Sequence, residues 1–178
     1  MVPLPVRNRD QIKQDEKNLL DELVRNGKQN IDIIAKNCGF SKQKSWRMIK
    51  KIETEKLIWG YTAIFDEQKM GLKHFTLLVK KNGNPVKEKT IDSVISRTGD
   101  ELSKKIGTQI ENSYLVLGEY DWISTFLAKG IIDAKKHVDA VWGDHYDEIE
   151  KLTLLQTLMF VKKQNIPNPE KNKLQELI

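Results

Sequence analysis

Residues 30–52, NIDIIAKNCGFSKQKSWRMIKKI, decide the fold of the first third of this chain. Asn30 is a candidate N-cap for a short helix, and Gly39 supplies the left-handed position that ends it. Ser41 caps a further helix that we predict to run to about Glu55. The predicted inward residues of the two helices are Ile31, Ile34, Ala35, Ile49 and Ile52.

A helix of similar pattern precedes this stretch, from about Gln14 to Arg25. Its apolar stripe consists of Leu19, Leu20, Leu23 and Val24. Three short helices, a small residue at Ala35 where two of them cross and a glycine at the turn are typical of a helix-turn-helix, which presents its last helix to the DNA major groove. A three-helix protein-interaction module would show the same spacing, and the bases on the third helix favour DNA.

The net excess of positive charge lies in the first third of the chain. Residues 1–65 contain 13 Lys/Arg and 8 Asp/Glu, an excess of five that equals the net charge of +5, because residues 66–178 contain 17 of each. Within residues 36–52 there are six bases and no acid. A solvated lysine-rich surface would interleave bases with acids, so this asymmetry favours a polyanionic partner.

The pattern changes after residue 65, and the rest of the chain predicts a βαββαβ domain. A strand over 57–65 links the two parts, and the later strands are predicted at His74–Lys80, Ser113–Leu117, Trp122–Ala128 and Leu152–Lys162. The first helix of this domain has Ile91, Val94, Ile95, Leu102 and Ile106 inward, with Gly99 bending or splitting it. The second, capped by Asp133, has the stripe Ala134, Val138, Val141 and Trp142. Residues 118–121 form the turn of a hairpin.

The composition excludes several classes of protein. No stretch approaches the roughly 18 uninterrupted apolar residues that a membrane span requires. Residues 1–10 carry two prolines and three charges where a signal peptide would be apolar. The lone Cys38 forms no internal disulfide, which fits a reducing compartment. We therefore expect a cytoplasmic protein that does not associate with membranes.

Signals for enzymatic or metal chemistry are weak. The chain has no Walker loop, no H-E-x-x-H and no G-x-S-x-G motif. His137 and His145 lie eight residues apart near Asp144 and Asp147 and could form a metal site, but an exposed helix end explains them more simply. We therefore predict a protein that is not an enzyme and has no metal or cofactor.

Two sets of motifs carry a resemblance to a known family. The first set is AKNCGFS at 35–41, Arg47, Ile49, Ile52-Glu53 and LIWGY at 57–61. The second is Gly71, GEYD at 118–121, and Thr157 where a family threonine opens the last strand. In this order, from Asp15 to Lys163, the chain resembles the Lrp/AsnC (feast/famine) family of transcription regulators. Ser45 and Met48 depart from the family pattern, at positions that are usually apolar and commonly arginine.

This resemblance implies an α+β protein, with an N-terminal winged-type helix-turn-helix followed by a βαββαβ ferredoxin-like (RAM) domain. The predicted boundaries are 1–60 for DNA binding, 61–70 for the strand linker, 71–164 for oligomerisation and effector binding, and 165–178 for a tail. Sheets of two RAM domains would pack into a homodimer, dimers would join into larger rings, and an amino acid or other small effector would bind between dimers.

The candidate site residues follow from the third helix and from the resemblance. The DNA-binding residues are Ser41, Lys42, Gln43, Lys44, Trp46, Arg47, Lys50 and Lys51, of which the last two are expected to meet phosphates. The effector-binding residues are Gly118, Tyr120, Asp121 and Thr157. Backbone N–H groups would bind the carboxylate of an amino acid and Asp121 its ammonium group. Alternatively, Gly118 and Asp121 only satisfy a tight hairpin.

Two alternative functions remain open at this point. Siroheme decarboxylases resemble the same family in architecture, and an acidic tetrapyrrole would also favour bases. The chain lacks the paired arginine and the cluster of histidine and tyrosine that those enzymes display. An effector-free DNA-organising protein or a protein-interaction module would share the fold and the basic helix.

Overall fold

The computed structural model describes residues 9–178. The prediction that residues 1–10 are not a signal peptide therefore lies mostly outside the described residues. The chain divides into two compact units. One contains residues 9–64 with 161–178, and the other contains residues 65–160. The predicted domain boundaries, after residues 60, 70 and 164, remain predictions. Between residues 9 and 178, no helix is both long and apolar enough to cross a membrane.

The first unit begins with three helices, α1 (Arg9–Arg25), α2 (Ile31–Cys38) and α3 (Lys42–Thr54). The predicted caps are confirmed: the Asn30 side chain accepts a hydrogen bond from Asp32 N, Gly39 is left-handed at φ 67°, and the Ser41 side chain accepts from Lys44 N. α1 starts five residues before the predicted Gln14.

The core of this unit lies where the three helices meet. Its buried members are Leu19, Leu23, Ile34 and Ile52, with Ala35 also buried. Ile49 is partly buried against them. The prediction for Val24 was wrong, because this side chain is 62% exposed and lies off the face that α2 and α3 cover. Ile31, also predicted to face inward, is only partly buried and is not part of this core, whereas Leu19, Leu20, Leu23, Ile34, Ala35, Ile49 and Ile52 face inward as the apolar spacing predicts.

The second unit contains a four-stranded antiparallel sheet with three helices. Its elements are β1 (Lys73–Lys81), α4 (Glu88–Ser96), α5 (Thr98–Lys105), β2 (Gln109–Leu115), β3 (Trp122–Ala128), α6 (Ile131–His145) and β4 (Ile149–Gln156). The strand order is β2-β3-β1-β4. This order is that of a βαββαβ ferredoxin-like domain, and the predicted fold class is confirmed.

One face of the sheet packs against α6 to form the second core. The core consists of Phe75, Leu77, Val79, Phe126, Ala128, Ala134 and Ile149. Alternate residues of β1 are buried because successive side chains point to opposite faces of a sheet. Phe75 and Phe126 are opposite each other in the β1–β3 register and their rings stack at 5.6 Å.

The predicted first helix of this domain is split, at Arg97 rather than at Gly99. Arg97 adopts φ 59° and both ends α4 and begins α5. The inward orientation predicted for Ile91, Val94 and Ile95 was wrong, because these residues are 47%, 46% and 75% exposed. α4 instead turns Thr90 inward, and the Thr90 hydroxyl donates to the buried Glu148 carboxylate at 2.9 Å. This polar contact sets the rotation of α4.

The predicted linking strand over 57–65 is not found in the described part of the chain, where these residues belong to no strand. The backbone N–H groups of Leu57 and Ile58 both donate to Ile52 O instead. Trp59 is 96% exposed. The residues that suggested a strand therefore lie on an irregular segment, of which Ile58 packs against the helical core and Trp59 is exposed.

The ends of other elements of the second unit also differ from the prediction. β4 lies opposite β1 from Ile149 to Gln156, and the last pair is Phe75 with Gln156. The predicted strand over 152–162 was therefore shifted, since β4 begins three residues earlier and ends at Gln156, where Thr157 N makes a further hydrogen bond to His74 O. β2 likewise begins at Gln109 instead of Ser113. α6 begins after Gly130, so Asp133 lies in its first turn and is not its cap.

The end of the chain has short regular elements of its own. β5 (Lys162–Lys163) and β6 (Ile166–Pro167) form a small hairpin, whose turn residues Gln164 and Asn165 both have positive φ. A 3₁₀ helix, Lys171–Glu176, follows. Residues 161–178 group with the helical unit, so the segment predicted as a tail contains ordered structure.

Candidate nucleic-acid interface and effector region

The N-terminus of α3 carries bases where helices usually carry acids. Ser41 caps the helix through a 3.2 Å hydrogen bond from Lys44 N, and no acid is present in the first turn. A helix N-terminus bears a partial positive charge, so the exposed Lys42 adds to a field that already attracts anions. This end of α3 is therefore suited to a polyanion.

The buried face of α3 determines which of its other side chains point away from the helical bundle. Ser45 and Ile52 are fully buried, and Met48 and Ile49 pack partly against the core. Ser45 thus occupies a core position, in agreement with the family pattern, in which this position is usually apolar. Its hydroxyl has no hydrogen-bond partner among the described residues. At 3.6 residues per turn, the residues opposite this face point away from the bundle.

Two of the predicted DNA-binding lysines face α1 instead. The Lys44 ammonium lies 2.6 Å from Asp15 Oδ2, and the Lys51 ammonium lies 2.5 Å from Glu16 Oε1. The Lys44 side chain is 21% exposed and also lies 3.4 Å above the Phe40 ring. The hydrogen bond that the Lys51 ammonium donates to Glu16 raises the pKa of Lys51. The outward orientation predicted for Lys44 was wrong, because an acid 29 positions away in the sequence binds it.

The remaining candidates form what we call the outward arc of α3: Lys42, Gln43, Trp46, Arg47 and Lys50. All five side chains are exposed. Lys42 lies 3.0 Å from Asp32, and Lys50 lies 3.2 Å from Glu53. Exposed ion pairs of this kind contribute little free energy, so a phosphate can replace the carboxylate as partner. The arc thus presents cations, an amide and an indole ring on one surface.

The turn that begins at Gly118 has a clear structural role. Asp121 N donates to Val79 O, and Asp121 Oδ2 accepts a 2.8 Å hydrogen bond from Lys81 N. Val116 N donates to Asp121 O and closes the hairpin. Gly118 is not among the glycines with positive φ. The Asp121 side chain therefore ties the hairpin to β1, 40 positions away, and does not make the local hydrogen bond predicted as the alternative. The positive φ predicted for Gly118 is not found either.

The effector candidates fall into two groups along the sheet. Tyr120 lies beside Asp121, and its hydroxyl is 3.3 Å from Thr153 Oγ1. Thr157 lies at the other end of β1, where its Oγ1 is 2.7 Å from His74 Nδ1. Positions 74 and 79 of a strand are roughly 17 Å apart, so one chain does not bring these groups together. Thr157 also follows β4 and does not open it.

A buried histidine was not recognised from the sequence as part of the core. His137 is 3% exposed, and its ring stacks on Phe126 with centroids 4.1 Å apart. Nδ1 lies 3.1 Å from Thr108 Oγ1 and 3.3 Å from Ser103 Oγ. Burial lowers the pKa of His137 to about 4. Its position three residues after Ala134, on the inward stripe of α6, was the available signal.

No metal centre accompanies this histidine in the described part of the chain. Within residues 9–178, no group of three or more His, Cys, Asp or Glu side chains could hold a metal ion. His145 lies near Thr90 and Glu148, at 3.3 Å and 3.9 Å from its Nδ1. The two histidines considered for a metal site thus have separate hydrogen-bonding surroundings.

The architecture defines a helix-turn-helix protein with an added βαββαβ domain, and comparisons with known proteins agree. No family model matches the chain. It is 24% identical over 153 residues to YugG, an uncharacterized HTH-type transcriptional regulator of Bacillus subtilis, covering 85% of this chain and 86% of that protein. It is also 24% identical over 127 residues to the proline dehydrogenase transcriptional activator of Rhodobacter capsulatus, covering 71% and 78%.

Solved structures identify the fold. An AsnC family transcriptional regulator from Agrobacterium tumefaciens matches with a TM-score of 0.64 and 18% identity, covering 88% of this chain and 94% of that one. A transcriptional regulator from Neisseria meningitidis, solved in complex with L-Met, matches with a TM-score of 0.63 and 13% identity, covering 97% and 100%. The chain has the fold of the Lrp/AsnC family, and the resemblance carried by its motifs is confirmed.

Proposed function

We propose that this protein is a sequence-specific DNA-binding transcription regulator that acts as a homodimer or higher oligomer. The outward arc of α3 is the observation that carries the proposal. It combines exposed cations with an amide and an aromatic ring on a helix that the N-cap and the buried core hold in a fixed orientation. The similarity to transcription regulators along most of the chain supports the same function.

The arc provides both kinds of contact that DNA recognition requires. In a helix-turn-helix, the N-terminal half of the last helix enters the major groove, where side chains contact base edges. Gln43 and Arg47 can form bidentate hydrogen bonds with adenine and guanine, respectively. Lys50, one turn further along α3, is placed to neutralise a phosphate. The proposal gives base contacts to the first half of α3 and backbone contacts to the second.

A second copy of the chain is the proposed partner of the open face of the sheet. The helices cover one face, whereas Tyr114, Leu78, Ile123 and Leu155 alternate onto the other. Tyr114 and Leu155 are 48% and 49% exposed. Burying apolar area on this face would stabilise a symmetric dimer. Two α3 helices would then contact half-sites separated by about 34 Å, one helical turn of DNA.

The proposed function includes the binding of a small-molecule effector. The Neisseria meningitidis regulator is described in complex with L-Met, and we assign an amino-acid effector to the region of Gly118, Tyr120 and Asp121. Asp121 Oδ2 already accepts a backbone hydrogen bond, which leaves Oδ1 for an ammonium group. Thr157 would take part through a neighbouring subunit, since it lies at the other end of β1. The proposal includes no catalytic role, cofactor or membrane, and places the protein in the cytoplasm.

Immunoprecipitation of the protein with its genomic DNA tests the main proposal without assuming an operator. We expect discrete peaks near promoters. A matched comparison uses Arg47→Ala, which removes a cation of the outward arc, and Lys135→Ala, which removes an exposed lysine of α6. The first variant should lose the peaks and the second should keep them. Uniform coverage of the genome would favour a DNA-organising protein, and no recovered DNA would contradict the proposal.

A further inference from the structure

Trp46 is the exposed large apolar side chain of α3. The ring is 56% exposed. Lys42 and Lys50 lie four residues before and after it, a spacing that places the three side chains in a line along the helix surface. Both lysine side chains are also well exposed, at 63% and 60%. The indole therefore lies between two cations on the outward arc.

Packing within the helical unit does not account for this tryptophan. The buried core and the partly buried apolar residues packed on it do not include Trp46. Aromatic side chains gain large favourable free energies on burial, so an exposed ring is a candidate for contact with a partner. Because cations flank the ring, that partner is expected to be anionic as well as to offer an apolar group.

We infer that Trp46 recognises thymine through apolar contact with the C5-methyl group in the major groove. This inference rests on the proposed function and specifies the base that one residue selects. The thymine methyl is the apolar feature that base pairs present in the major groove, and apolar side chains contact it there. Trp46 is the fifth residue of α3, within the half of the helix that approaches the bases.

A phosphate contact is the competing use of the same side chain. The indole N–H can donate to a phosphate oxygen, and such a contact would position the protein without reading sequence. The two uses differ in one measurable respect. Contact with the methyl makes the affinity depend on that methyl, whereas contact with the phosphate does not.

Replacement of thymine by deoxyuridine separates the two uses, because it removes the C5-methyl and keeps the base pair. Duplexes that the full-length protein prefers are first selected from a random library. Each thymine of the selected site is then replaced singly by deoxyuridine. We expect at least one replacement to weaken binding by about fourfold, the effect of one methyl-sized group removed from water.

Variants assign that effect to Trp46. In Trp46→Ala the thymine and deoxyuridine duplexes should bind equally at the sensitive position, and in Trp46→Phe part of the preference should remain. Trp59→Ala is the matched control, because Trp59 is 96% exposed but lies outside α3. This control should keep the fourfold preference.

Each outcome has a distinct meaning. If no deoxyuridine replacement affects the wild-type protein, or if Trp46→Ala keeps the wild-type preference, the inference is overturned while sequence-specific binding stands. If the library yields no preferred duplex, the proposed function itself fails and the inference fails with it.

Discussion

The Lys44 ammonium group lies 2.6 Å from Asp15 Oδ2, across the contact between α3 and α1. The two side chains are 21% and 8% exposed, and the same ammonium lies over the Phe40 ring. One cation of the basic run therefore fixes the orientation of α3 and is not available to DNA. Fewer of the six bases in residues 36–52 are therefore available to a DNA duplex than the sequence suggests.

Loss of this pair should destabilise the helical unit. We expect Lys44→Ala to lower the free energy of unfolding by about 1–3 kcal/mol, because it removes the 2.6 Å ion pair with the buried Asp15 carboxylate and the contact with the Phe40 ring. Lys42→Ala removes an exposed pair with Asp32 and should cost less than about 1 kcal/mol. Urea unfolding followed by circular dichroism measures both changes. Equal losses in the two variants would contradict the structural role of Lys44.

Lys50 and Lys51 are adjacent in sequence but should differ in their contribution to DNA binding. The sequence predicts that both meet phosphates. Lys50 pairs with Glu53 at 3.2 Å, whereas Lys51 lies 2.5 Å from the less exposed Glu16 and also 3.8 Å from Glu55. A cation that carboxylates already neutralise displaces fewer counterions from DNA. Lys50→Ala should therefore flatten the slope of log affinity against log salt by about one unit, and Lys51→Ala by clearly less. Fluorescence anisotropy across a potassium chloride series measures the slopes, and equal changes would count against this difference.

Two serines of the helix-turn-helix should respond in opposite directions to alanine. The Ser45 hydroxyl is buried with no partner among the described residues, so Ser45→Ala should stabilise the protein by about 1 kcal/mol. The Ser41 hydroxyl caps α3, so Ser41→Ala should destabilise it by about 1 kcal/mol. Thermal unfolding of both variants tests the pair. Destabilisation by Ser45→Ala would show that the hydroxyl has a partner in solution.

Local signals were sufficient for the helix-turn-helix. The caps at Asn30 and Ser41 and the left-handed Gly39 depend on hydrogen bonds within a few residues, and the sequence predicts each of them correctly. Long-range contacts were not accessible in this way. The orientation of Lys44 depends on Asp15, 29 positions away. The sequence could therefore identify the DNA-binding helix and its positive charge, but not the orientation of each of its side chains.

The ends of the strands were even less predictable from local sequence patterns, because they depend on pairing with distant residues. Residues 57–65 have the composition of a strand, yet a strand forms only where a second strand pairs with it. The β1–β4 ladder ends with the pair of Phe75 and Gln156, followed by the backbone hydrogen bond from Thr157 N to His74 O, although the apolar pattern continues. The break between α4 and α5 occurs at Arg97, two residues before the Gly99 that suggested it. Patterning thus predicted the order of the elements, and pairing determined their ends.

His137 should make the stability of the protein depend on pH. Its pKa in the folded protein is about 4, compared with 6.5 for an unperturbed histidine, because the ring is buried. Between these values the unfolded chain binds the proton and the folded chain does not, so stability falls as the pH falls through this range and is constant above it. The contribution lost between pH 7.5 and pH 5 is about 2 kcal/mol. His137→Gln should reduce the measured change in unfolding free energy by this amount, whereas carboxylates affect both proteins alike. An NMR titration of the imidazole with a midpoint near 6.5 would refute the prediction.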